Sequence, residues 1–419
     1  MPEEITTLDA QYARDIVKKI CTQVGPGLPG TPQERERAEI IKGELESHLG
    51  AGNVVLEEFT LAPDAFLSPY PGVICMILAV LLNISRGHVI GISPWITSIA
   101  ALVFSIITPL LFILEFFLSH EVLDPLFPKK GSINVVGTLR KPGTRDMKRL
   151  LILSGHHDSA LENTWLRFLG YGFYFLSAIF FIGSITLVVM CLIQLVGVIT
   201  GNTNLVRFGT LGWVILVFPI VPSIIYAAFL TRGKKNGGTV PGAADNLSAS
   251  AVAVAMCRFL VKNPSYIPAD TEIRFISFGS EEAGLRGSRR YVARHLDELK
   301  RLDTRLLNYE VVAHPEIAIL TSDVNGTVKH SPELVKSVIA AAQRAGVPYK
   351  MGSASLGAGS DAAPFSRAGL KATTLLPFKV PQQMVAFYHQ EWDTPEILTI
   401  EPLLNVLKLT FEWVRNGGE

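Results

Sequence analysis

Seven acidic and imidazole side chains stand out in this 419-residue chain: His156, Asp158, Asp245, Glu281, Glu282, Glu310 and His389. A hydrolytic site built on two metal ions needs one bridging carboxylate, further carboxylate and imidazole ligands, and a base for the attacking water. Nitrogen and oxygen donors without thiolate suit zinc, with cobalt or manganese as alternatives. Taken singly, none of these residues is informative. A lone histidine after a strand is more often structural than a ligand, and a pair such as Glu281-Glu282 is more often a solvated helix start. The setting changes that weighting. The pair follows an apolar run and precedes Ala-Gly-Leu-Arg-Gly-Ser, and the full set occurs in order along the chain.

Such side chains must be delivered by elements that end beside one another. The pattern predicts amphipathic helices over 8–21 and 33–49, the second opened by Thr31-Pro32 and closed by Gly50. Strands are expected over 53–61 and 132–139. The continuous apolar runs 149–154 and 272–278 read as strands buried on both faces. Helices are expected over 247–262, 284–300, 331–345 and 401–415, with a strand near 372–376. This alternation predicts an α/β fold, a mostly parallel or mixed sheet sandwiched by helices. In such sheets functional groups gather where strands end. His156 and Asp158 follow the run 149–154, Glu281 and Glu282 follow 272–278, and Asp245 directly precedes a helix.

Two apolar blocks interrupt the alternation. Residues 65–85, 89–114, 168–200 and 208–230 carry no charge. Each reaches the roughly 20 residues that a helix needs to cross a hydrocarbon core. The expectation is four transmembrane helices inserted as two hairpins, giving segments 1–64, 65–118, 119–167, 168–230 and 231–419. Lys129, Lys130, Arg167, Arg232, Lys234 and Lys235 flank the blocks on the polar side, and Arg86 and Arg207 lie in the short loops. This bias predicts an integral, multi-pass membrane protein with its catalytic domain on the cytoplasmic side. Met1-Pro2-Glu3-Glu4 opens no basic-then-apolar run, so no signal peptide is expected. A formal net charge of +1 gives no field for nucleic acid. Cys21, Cys75, Cys191 and Cys257 form no Cys-x-x-Cys and are expected as free thiols.

Four ordered motifs carry a family resemblance: Gly-His-His-Asp-Ser (155–159), Gly-Ala-Ala-Asp-Asn-Leu-Ser (242–248), Gly-Ser-Glu-Glu-Ala-Gly-Leu-Arg-Gly-Ser (279–288) and Tyr-His-Gln-Glu-Trp-Asp-Thr-Pro (388–395). They resemble the dizinc exopeptidases, which include bacterial leucyl aminopeptidases, aminopeptidase Y and glutamate carboxypeptidase. Gly-Ser-Asp-Ala-Ala-Pro-Phe (359–365) is similar to that family's substrate-side loop, which implies Ser360, Asp361 and Phe365 as substrate contacts. The resemblance implies two Zn2+ per chain. His156 would bind the first ion, Asp245 would bridge, and Glu282 and His389 would complete the second. Glu281 would be the general base, Asp158 would orient His156, and Tyr388 would donate to a developing oxyanion. The family's remaining ligand is an aspartate; Asn308-Tyr309-Glu310 matches its place with one extra methylene, and Asp323 is the runner-up. His157 is expected as a neighbour, and Arg286, Arg289 and Arg290 as a solvated helix face. The implied substrate is a peptide or lipidated peptide, met beside a lipid bilayer. The competing readings are a non-catalytic scaffold like nicalin and a one-metal glutaminyl cyclase.

Overall fold

Helix α1 (Thr7–Gln23) starts at Thr6, whose side chain forms a capping box with Asp9. Helix α2 (Pro32–Leu49) starts at Thr31, which accepts from Glu34 N, with proline in the first turn where no N–H is missed. In this computed structural model the described residues are 4–66, 69–85, 93–141, 143, 147–206, 210–218, 220, 224, 238–354 and 359–419. They divide into two compact units.

Unit 1 comprises 1–64, 124–161 and 239–419. Its strands are β1 (Val54–Leu61), β2 (Lys130–Arg140), β3 (Arg149–His156), β4 (Thr271–Phe278), β5 (Asp303–Tyr309), β6 (Ile317–Leu320), β7 (Tyr349–Gly352) and β8 (Lys371–Leu376). They form one sheet in the order β1-β2-β4-β3-β5-β8-β6-β7. Its centre, β4-β3-β5-β8, is parallel, while β1, β2 and β6 join antiparallel. The sheet is therefore mixed. Helices cover both faces, and the alternation of β3 shows how. Leu151 and Leu153 join the core under α1, α2 and the helices Ser248–Lys262, Pro332–Ala345 and Ile400–Arg415. Leu150 and Ile152 join Tyr291, Leu299 and Phe365 on the other face. Parallel central strands place β3, β4 and β5 ends on one edge, so His156, Glu281 and Glu310 emerge together. The chain leaves unit 1 after Leu161 and returns at Thr239, and these two residues bridge one another.

Unit 2 comprises 65–123 and 162–238. Its described helices include Pro69–Ser85, Pro94–Phe112 with a wider turn at Ile113–Phe117, and Gly172–Thr200. They enclose Met76, Ala79, Val80, Ala101, Phe180, Leu187 and Cys191. Much of their apolar surface is exposed, including Ile74, Phe175 and Ile182. Three helices among the described residues are long and apolar enough to cross a membrane, by length and composition: Pro94–Glu115, Gly172–Thr200 and Ala243–Lys262. Two coincide with expected spans. The first expected span yields only the shorter apolar helix Tyr70–Ile84. Of the fourth, the described residues include the helix Thr210–Val217. Arg86, Arg207, Arg232, Lys234 and Lys235 lie outside the described residues.

A candidate two-metal centre

Strand ends and three irregular turns bring the ligand set together. His156 ends β3, and Glu310 follows β5 directly. Asp245 sits in the turn Ala243–Leu247, where it and Asn246 leave helical φ/ψ. Glu281 and Glu282 follow β4, and His389 lies in the turn before the C-terminal helix. The backbone is left-handed at Ser280 (φ 55), Val311 (φ 47) and His389 (φ 51), each at or beside a candidate ligand. Non-glycine residues occupy that region only when their surroundings compel it.

The two oxygens of Asp245 face different imidazoles. Its Oδ1 lies 3.4 Å from His156 Nε2, and its Oδ2 lies 3.0 Å from His389 Nε2. Glu310 Oε1 is 3.2 Å from His156 Nε2, and Glu282 Oε1 is 3.2 Å from His389 Nε2. Thus His156, Asp245 and Glu310 form one donor group, and Asp245, Glu282 and His389 another, the donor atoms of each within 4.8 Å of one another. Donors 2.0–2.1 Å from a tetrahedral zinc ion stand about 3.3 Å apart. The observed spacings fit that figure, and the shared carboxylate fits a pair of ions. Glu281 Oε2 lies 3.7 Å from His156 Nε2.

Electrostatics give the same answer. Burial, with repulsion from Glu310, Glu282 and Asp361, lifts the Glu281 carboxyl well above its ordinary range. Burial likewise lifts Glu310 to about 8 and Asp361 to about 7. Burial alone would lower His389, but Glu282 and Asp245 outweigh it and hold the imidazole at about 10. So many crowded acids with two imidazoles make an environment that calls for cations.

Surrounding groups fix the ligands. The Asp158 carboxylate accepts from Glu281 N at 3.0 Å and Glu282 N at 2.9 Å, and its Oδ1 is 3.4 Å from His156 Nδ1. Three contributors were not anticipated. Asp393 accepts from Ala244 N and Asp245 N at 2.6 and 3.0 Å. Asn246 Nδ2 donates to Glu310 Oε1 at 2.9 Å, and Asn308 Nδ2 to Glu310 Oε2 at 3.3 Å. The first two lie inside the quoted motifs, but their partners are distant in sequence.

Other expected residues fall elsewhere. Ser360 Oγ donates to Asp323 Oδ2, and Phe365 is buried between Phe278 and Tyr291. Asp361 of the same loop interacts electrostatically with Glu281. Asp323 ties down Ser360 and is absent from every described metal group. His157 contacts Ser277 through Nδ1 at 2.9 Å. Tyr388 stacks on His389, ring centres 4.0 Å apart. Arg286 is not on a solvated face: it is buried and pairs with Asp124 at 2.8 Å. Helix amphipathicity misleads there because Arg286 occupies the first, inward turn of its helix.

Residues 231–414 match the family model for Peptidase family M28. Aminopeptidase YwaD of Bacillus subtilis (strain 168) is 34% identical over 164 residues, which is 39% of this chain and 31% of that protein. The chain therefore spans under a third of the length of this curated relative. Among solved structures, a zinc aminopeptidase from Bacillus subtilis aligns with a TM-score of 0.55 at 16% identity, over 99% of this chain and 96% of that one. An Acidobacteriales bacterium glutaminyl cyclase aligns with a TM-score of 0.54 at 12% identity, over 99% and 96%. At these identities the solved structures establish the shared fold.

They also correct one expectation. Solved aminopeptidases align with 96–99% of the chain, and this counts against the expected integral, multi-pass placement with a cytoplasmic catalytic domain, which is withdrawn. The expectation rested on length and apolarity, which do not separate a spanning helix from a buried one. Ala243–Lys262 passes both criteria with 89% of its apolar window buried in unit 1, whereas the windows of Pro94–Glu115 and Gly172–Thr200 are 22% and 28% buried.

Proposed function

We propose that this chain is an M28-type metallopeptidase that removes the amino-terminal residue of a peptide, with two zinc ions as cofactor. The division of Asp245 between two imidazole-carboxylate sets carries this reading. His156, Asp245 and Glu310 would hold one ion, and Asp245, Glu282 and His389 the other. Bound zinc supplies Lewis acidity toward the scissile carbonyl and lowers the pKa of the attacking water.

The chain's own groups do the rest. Glu281 accepts the proton of the attacking water and hands it to the leaving amine. Its backbone N–H is held by Asp158, so its carboxyl is aimed by a buried anchor. Burial and the nearby acids raise the Tyr388 hydroxyl, keeping it a neutral donor for the oxygen on which charge develops. Asp158 orients His156 through Nδ1. Replacing Glu281 by Gln should leave two metal ions per chain and abolish turnover, read by metal analysis and peptide cleavage. Undiminished turnover rejects the assignment. A Gln-peptide that is cyclised without being shortened would move the reading to a glutaminyl cyclase.

The finer reading concerns substrate. The exposed apolar side chains of unit 2 support a preference for amphipathic or lipidated peptides. Equal rates on soluble dipeptides and on acylated peptides refute that preference.

A further inference from the structure

Helix α2 turns two charged residues, Glu34 and Arg37, into the protein interior, 1% and 0% exposed. Three residues apart, they share one helix face. Their partners are loops that carry the candidate ligands. Arg37 Nη1 donates to His157 O at 3.0 Å, one residue after His156. Arg37 Nη2 donates to Pro241 O at 2.6 Å, at the entrance to the Asp245 turn. Its Nε donates to Gly25 O at 2.8 Å, in the loop between α1 and α2. That loop is fastened to the same region by Gly27 N to Ser159 Oγ at 3.0 Å and Ser159 N to Gly27 O at 2.9 Å. Glycine is required at 27, because a Cβ there would lie 2.7 Å from Arg37 Cδ. Glu34 Oε1 accepts from Ser280 Oγ at 2.7 Å and Ser132 Oγ at 2.9 Å. Ser280 is the left-handed residue immediately before Glu281 and Glu282.

One helix face therefore ties three ligand-bearing segments, two through backbone carbonyls and the third through the Ser280 hydroxyl. None of these side chains lies among the donor groups themselves. A guanidinium suits this task, since its planar fork serves several carbonyls at fixed angles where an ammonium does not. The matched family segment begins at residue 231, so this buttress lies outside it.

We infer that Arg37 and Glu34 are positioning residues that set the spacing between the two halves of the metal centre. Arg37 registers the His156 and Asp245 loops, and Glu34 registers the Glu281-Glu282 turn. This rests on the two-metal reading above. The test uses the full chain, stripped with chelator and titrated with Co2+ while visible absorption and binding heat are recorded. Arg37→Lys and Arg37→Ala should weaken uptake chiefly at the His156 set, and Glu34→Gln and Glu34→Ala chiefly at the Glu282 set. Loss of a group that orients a ligand typically costs about 10–100-fold in metal affinity. Leu45→Ala, which empties a packing position of the same helix, should lower the unfolding temperature and leave both cobalt constants at parental values. Should an alanine variant fail to fold, its conservative partner gives the readout. Parental cobalt constants and spectra in the Arg37 and Glu34 variants overturn the inference, as does an equal loss in Leu45→Ala. A parent chain that takes up no cobalt instead overturns the metal-centre reading itself.

Discussion

Asp158→Asn tests how the site is held together, because one carboxylate serves two backbone donors and one imidazole. The side chain is fully buried, with Glu281 N and Glu282 N on separate oxygens at 3.0 and 2.9 Å. Hydrogen bonds to a charged group contribute about 1.5–3 kcal/mol each, and neutral ones about 1. Asparagine keeps one acceptor and turns its NH2 toward the other N–H, so one bond is lost and the other weakened. The expected loss is about 2–5 kcal/mol by the same figures. The imidazole of His156 also loses the anion 3.4 Å from Nδ1, which should lower metal affinity by about 10–100-fold. Removing a negative charge relieves repulsion in the metal-stripped protein, so the stripped form should lose less stability than the zinc-loaded form. Urea unfolding in zinc and in chelator, alongside cobalt titration, measures each quantity. Unfolding within about 0.5 kcal/mol of the parent in both states, the range of an inconsequential substitution, together with parental cobalt affinity, would refute the argument.

Tyr388→Phe keeps the ring stacked on His389 and should cut kcat on the order of a hundredfold, with two metal ions retained; an unchanged kcat assigns Tyr388 to packing alone. Arg286→Met strands Asp124 in a buried site and should cost about 3–5 kcal/mol in urea unfolding, most of it recovered when Asp124 is changed to Leu as well. A pH series isolates Glu34. Burial, then repulsion from Asp158, lifts its carboxyl from 4.5 to about 8. The folded value exceeds the unfolded one, so its stabilising contribution is full below pH 4.5 and is lost as pH rises to about 8. Glu34→Gln should flatten that decline, and parallel slopes in parent and variant count against it.

His156, Glu281, Glu282 and Asp245 were legible because each follows a recognisable strand or precedes a recognisable helix, whereas Glu310 and His389 were reached through the family resemblance. The run 149–154 announces β3 and hence His156, and 272–278 announces β4 and hence Glu281. The strands β5, β6 and β7 escaped notice, since β6 and β7 are only four residues long and β5 carries Asp, Arg and Asn among its apolar positions. Asp393 was invisible as an anchor because it acts on backbone N–H groups, which have no sequence signature, and Asn246 because its partner Glu310 is 64 residues away. Arg37 and Glu34 sit in Glu-Arg-Glu-Arg-Ala-Glu and read as solvated charge, yet tertiary contacts pull two of the five charges inside. Ala243–Lys262, expected as a helix over 247–262, shows apolarity reporting burial in a protein core.

The Leu161–Thr239 bridge closes the second of the chain's two excursions from unit 1. Glu162 N donates to Gly238 O at 2.7 Å just beyond it, so everything from 162 to 238 departs and re-enters through neighbouring hydrogen-bonded residues. A tight hairpin turn could close that gap without moving either flank. The stretch thus leaves and rejoins unit 1 at one point while contributing Phe180, Leu187 and Cys191 to a core it shares with residues 65–123.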